Sequence, residues 1–202
     1  FATEILGLQI AHQEDNRVYV RGDDRDHNIC YIDDDPSVNV LGMEVKNLGA
    51  LESAAAELAA AGVAVKRGNQ EECADRRVTD FIAFCDPTGN QVELTVRPFK
   101  ATRRYFPTRD AGINEFSHVG LRSTDAKIDE SFWTSLFNVR ANDWIGPAGL
   151  LSFDKVHHRF ALFPSDRPGI QHINFQVDSI DDLMRSYHYL CGKQVHIVFG
   201  PG

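Results

Sequence analysis

The chain has 202 residues, 43% of them hydrophobic, and a net charge of −8, enough apolar material for a sizeable core in one or two domains. The acidic balance argues against nucleic acid, whose phosphates need a basic footprint, and no apolar run approaches the roughly 20 residues of a membrane span. Four cysteines (Cys30, Cys73, Cys85, Cys191) without a C-x-x-C spacing point to a reducing compartment, the cytoplasm, rather than to a disulfide framework.

In chain order, short apolar runs predict strands at 18–20, 27–32 and 40–45. An Ala-rich helix follows over 48–61, stopped at Gly62. FIAFCDPTGNQVEL then reads as a hairpin turning at DPTGN. A basic stretch over 97–113, punctuated by Pro98, Pro107 and Gly112, reads as a linker between domains at 1–100 and 101–202. After a strand around His118, Asp125 or Thr124 caps a helix whose apolar residues Ile128, Phe132 and Leu136 recur every four positions. Strands at 158–163 and 170–177 precede a last helix with Ile180, Leu183, Met184, Tyr187 and Leu190 at helical spacing. The fold class is α+β.

The two halves repeat one another. FATEILGLQI lines up with FWTSLFNVRA at an offset of 131 residues, which also sets His27 on His158, and V45-K-N-L-G-A-L51 matches V177-D-S-I-D-D-L183 with one residue inserted. By the same repeat, the counterpart of His118 falls ahead of Phe1, and the partner of the DPTGN hairpin falls after Gly200, so a chain continuing past both ends is expected. Six of the eight histidines lie in the second copy, which marks that copy as the one carrying chemistry.

Strand alternation gives those histidines a direction. His172, Asn174 and Gln176 share one face of their strand, with Ile173, Phe175 and Val177 on the other. His118 shares a face with Gly120, opposite Val119 and Leu121. Each histidine alone reads as a hydrogen-bonded strand residue. Two of them on the less apolar faces of two strands can ligate a divalent metal, because neutral imidazole suits iron, manganese and zinc. A third ligand, usually a carboxylate, is required. Glu93 ends the last strand of the first copy as a strand residue, and its counterpart, a glutamate, is expected beyond Gly202. His157 and His158 are read on opposite faces of one strand, and alternation leaves open which meets the pocket. Trp133 reads as helix packing and Phe175 as core, while Trp144, Leu150 and Asn174 are candidate neighbours of an aromatic substrate.

HVGL at His118, HHRFALFPSDRPGIQHINFQV from His157, IDDLMRSYHYL and the closing HIVFGPG resemble the extradiol ring-cleavage dioxygenases of the vicinal oxygen chelate superfamily. FATEILGL and DPTGNQVEL extend the resemblance over essentially the whole chain. It implies tandem βαβββ modules forming two similar glyoxalase/bleomycin-resistance-like domains, the first structural and the second metal-binding. It implies metal ligands at His118 and His172, an acid–base histidine at His158, ferrous iron with manganese as the alternative, a substituted catechol of the dihydroxybiphenyl kind, dioxygen, and a homo-oligomer. A glyoxalase-type isomerase or lyase and a metal-free binder of aromatic compounds are the alternatives on the same scaffold.

Overall fold

A computed structural model describes residues 1–109 and 112–200. Pro201 and Gly202, the last two residues of HIVFGPG, lie outside the described residues, as do two residues of the linker. The chain forms two compact units, one of Phe1–Asp34, Lys100–Ser117 and Asn174–Gly202, the other of Asp35–Phe99 and His118–Ile173.

In the first unit β1 (Gln9–Glu14), β2 (Arg17–Arg21) and β3 (Ile29–Ile32) make an antiparallel sheet in that order. Its small core is Leu8, Val20 and Ile113, with Phe175 packed against it, so Phe175 is a core residue, as alternation requires. The unit's helix, Ile180–Gly192, is capped by Ser179 with Asp181 and Asp182 in its first turn, where carboxylates favour the helix dipole.

The second unit holds the larger core. β4 (Val40–Val45), β5 (Lys66–Arg67), β6 (Asp80–Cys85) and β7 (Gln91–Val96) form one sheet in the order β4-β7-β6-β5. Helix α1 (Leu48–Ala60) buries Leu51 and Leu58 on it, and the chain leaves through Gly62 at φ +78°, a conformation that costs glycine little. A short helix, α2 (Gln70–Arg76), was not foreseen. Its signal was legible as a capping box, since Asn69 accepts from the Glu72 N–H while Glu72 accepts from the Asn69 N–H.

β8 (Glu115–Ser123, with His118 onward in this unit), β9 (Arg140–Ile145), β10 (Ala148–Ser152), β11 (Phe160–Pro164) and β12 (Ile170–Gln176) make a second sheet in the order β12-β8-β11-β10-β9. Helix α3 (Ala126–Leu136) starts at Asp125, whose carboxylate accepts from the Lys127 and Ile128 N–H groups. Its inner face is centred on Asp129 and Trp133, both fully buried, with the expected Phe132 and Leu136 packed against the same core at its edge, while Ile128 is 56% exposed. The wide indole decides which stripe turns inward: Trp133 meets Phe160, Phe84 and Phe137 at centroid distances of 5.0, 6.2 and 5.2 Å. Burying a large apolar side chain of this kind contributes about 1.5–3 kcal/mol.

The DPTGN turn does more than reverse the chain. Asp86 accepts from the Gly89 and Asn90 N–H groups at 2.9 and 2.8 Å, and Gly89 takes φ +99°. Thr88 donates its hydroxyl (2.6 Å) and its N–H (3.1 Å) to the buried Asp129 carboxylate of α3, which also accepts from Ser123. Burial pushes the Asp86 carboxyl up to about 6, against the hydrogen bonds from Asn90 that favour its charge.

Candidate metal centre

Sheet register decides which side chains share a face. Across β8, β11, β10 and β9, the row Val119, Phe160, Leu151 and Ala141 packs into the α3-side core. The neighbouring row, Gly120, Ala161, Leu150 and Asp143, therefore faces the opposite way. His118 joins this second face two residues before Gly120, as does Phe163 two residues after Ala161.

His172 comes onto the same face from β12. A Cβ on Gly120 would lie 2.5 Å from the His172 ring, so the imidazole occupies the space that a glycine leaves open. Phe163 packs edge-on against it at 5.3 Å. His172 Nδ1 lies 3.1 Å from the Gln171 amide oxygen. An oxygen acceptor there fixes the proton on Nδ1 and leaves Nε2 as a lone pair, as an outer partner does in metal sites. That Nε2 is 3.2 Å from His118 Nε2.

His158 completes a cluster of three imidazoles, its ring centroid 4.3 Å from that of His118. It does not lie in a strand, because β11 begins at Phe160. The expected separation of His157 from His158 on opposite faces therefore fails: in this loop their Nδ1 atoms stand 3.1 Å apart.

All three rings are held neutral. His118 is pushed down to about 4 by burial first and then by the neighbouring His158 and His172. Burial also lowers His158, helped by His157 and His172, and burial alone lowers His172. Neutral imidazoles are the form that ligates. Two imidazole nitrogens bound at about 2.1 Å to one ion, at angles between a right angle and the tetrahedral value, stand roughly 3.0–3.4 Å apart, and the observed 3.2 Å fits. Among the described residues no third His, Cys, Asp or Glu joins them to make a three-donor group.

Of the candidate substrate neighbours, Leu150 is buried on the histidine face, and Asn174, exposed, follows His172 by two positions on β12. Trp144 is on the α3 side, packed over Gly149 with the Lys127 ammonium 3.4 Å from its ring centre. A bulge skips Asn142, so Asp143 rather than Asn142 aligns with Leu150, and Trp144 aligns with Gly149 instead of Ala148. Phe163, Gln171 and Asp143 were not anticipated as neighbours of the site. Glu93 is a strand residue that makes a two-point pair with Arg76, both contacts 2.7 Å, and the guanidinium lies 4.3 Å over the Phe81 ring. His27 is half-buried beside Asp26 at 3.1 Å, edge-on to Tyr19.

A sheet face that gathers histidines from two strands matches what the resemblance to the vicinal oxygen chelate superfamily requires. The family model described as the Glyoxalase/Bleomycin resistance protein/Dioxygenase superfamily matches residues 1–94. The chain is 30% identical to a biphenyl-2,3-diol 1,2-dioxygenase of Paraburkholderia xenovorans (strain LB400), over 91% of this chain and 67% of that protein. It is 29% identical to an iron-dependent extradiol dioxygenase of Rhodococcus jostii (strain RHA1), over 91% and 68% respectively. A crystal structure of a halotolerant catechol dioxygenase superposes with a TM-score of 0.89 at 22% identity, covering 98% of this chain and 70% of that one. The chain belongs to the extradiol ring-cleavage dioxygenases of this superfamily.

Proposed function

We propose that the protein is an Fe(II)-dependent extradiol dioxygenase that opens the ring of a substituted catechol, dihydroxybiphenyl-like, beside its vicinal diol with O2. The observation that carries the site assignment is the convergence of His118 and His172 Nε2 at 3.2 Å with the His158 ring beside them. His118 and His172 would hold the metal, ferrous iron or manganese, which the same donors accept. In the family pattern a glutamate is the third ligand. A metal held there would supply Lewis-acid and redox chemistry for the reaction of the diol with dioxygen.

The protein's own groups divide the remaining work. His158 is a neutral imidazole whose proton affinity is lowered by burial and by His157 and His172. It accepts the phenolic proton of the arriving catechol and returns it when the ring opens, a general acid–base role. Gln171 keeps the proton of His172 on Nδ1. Leu150 and Asn174 border the aromatic ring, Leu150 by apolar contact and Asn174 through its amide. By the sequence repeat, rather than by the compact units, residues 1–100 would be the structural half, with Glu93 paired to Arg76, and residues 101–202 the catalytic half. We place the enzyme in the cytoplasm as a homo-oligomer; no helix among the described residues is long and apolar enough to cross a membrane.

Anaerobic loading of the full-length protein with ferrous iron, followed by oxygen and either 2,3-dihydroxybiphenyl or simple catechols, should give the yellow ring-opened product. Stoichiometric metal without product from any catechol would overturn ring cleavage in favour of an isomerase or lyase. Failure to bind metal would leave a binder of aromatic compounds.

A further inference from the structure

We infer that Asn90, the last residue of the DPTGN turn, is a positioning residue for the metal centre: its carboxamide locks the register of β12 on β8 and thereby brings His172 to His118. This rests on the ligand assignment above. Asn90 is buried, with 4% exposure, and every hydrogen-bonding atom of its side chain is used. Oδ1 accepts the Gly169 N–H at 2.7 Å. Nδ2 donates to the Arg122 carbonyl at 2.9 Å and to Asp86 at 2.8 Å. One amide from the first module thus ties the residue that opens β12 to a residue of β8.

The tie falls where register is set. Gly169 stands at φ +131°, which only glycine adopts cheaply, and its carbonyl accepts the Arg122 N–H at 2.8 Å. Three residues beyond Gly169 is His172; four before Arg122 is His118. Side chains alternate with a period of two, so a slip of one residue would turn His172 to the opposite face, away from its slot over Gly120. Asn39 adds a second tether, accepting the Ile170 N–H at 3.3 Å.

The test compares Asn90→Ala with Thr88→Val in the full-length protein. Thr88 belongs to the same turn, but its hydroxyl bonds Asp129 and Thr124 and touches neither Gly169 nor Arg122. Anaerobic titration with Co(II), read by its absorption bands, and thermal unfolding are both measured. Asn90→Ala should weaken metal binding about 10–100-fold, the range for outer-shell partners of metal ligands, whereas Thr88→Val should lower Tm and leave metal affinity within about twofold. Equal affinity in Asn90→Ala and wild type overturns the inference, as does an equal loss in both variants. If Asn90→Ala does not fold, Gly169→Ala asks the same question from the strand. The nearest atom to its new Cβ is Arg122 Cδ at 3.6 Å, so only the backbone angle is strained, and unchanged metal affinity there also overturns the inference. Wild type that binds no Co(II) refutes the ligand assignment instead. Amide exchange at 169–172 then decides the positioning claim, which fails if Asn90→Ala exchanges there no faster than wild type.

Discussion

Gly120→Ala isolates the geometry of the proposed metal centre without touching either proposed ligand. The added Cβ would sit 2.5 Å from both Cε1 and Nδ1 of His172 and 3.1 Å from its Nε2. Restoring ordinary contact moves the ring by about 1 Å, since packed interiors have little slack. Sites for metals tolerate errors of about 0.2 Å in ligand distance, and a 1 Å misplacement costs on the order of 100-fold. Metal affinity and ring-cleavage rate should therefore both fall by about two orders of magnitude, while overpacking lowers unfolding stability by about 1–3 kcal/mol. Gly42→Ala is the control, because no atom lies within 4 Å of its Cβ position on β4. Metal titration and denaturant unfolding of the two variants separate the effects. If Gly120→Ala binds metal like wild type, the placement of His172 over Gly120 is not what prepares the site.

His158→Ala should keep stoichiometric metal and lose catechol turnover by about 10²–10⁴-fold, the range for a general acid–base group; full turnover in that variant removes its role. His118→Ala and His172→Ala should each abolish tight metal binding, as titration would show. Asp129→Ala leaves Ser123 and Thr88 without their shared acceptor and should cost about 2–4 kcal/mol in urea unfolding; a loss below 1 kcal/mol would contradict the buried network. Asp86 keeps its proton longer folded than unfolded, with a folded value near 6 against the usual 3.8. Its contribution is thus most favourable below pH 4 and declines by up to about 3 kcal/mol as pH rises to 6. The stability difference between wild type and Asp86→Asn should vary over that window, and a constant difference would refute the shift.

Local pattern alone determined a good part of this protein. The period-two runs located β2, β4, β11 and β12 to within a few residues, Asp125 capped α3, and Gly62 ended α1, because caps, turns and alternation are short-range physics. Alternation also put His118 with Gly120 and His172 away from Phe175, and the motif resemblance selected His158. What tertiary structure decided was everything that depends on register or on partners distant in sequence. The inward stripe of α3 is centred on Trp133, with Phe132 and Leu136 at its edge and Ile128 left outside, because an indole finds its neighbours on two sheets. A one-residue bulge at Asn142 sent Trp144 to the α3 side and Asp143 to the histidine side, a parity change that no hydrophobic pattern announces. The same holds for Arg76 on Glu93, 17 residues away, and for Asn90 on Gly169, 79 residues away. The sequence names which groups can ligate or bond; only the packed strands set the distances at which they do so.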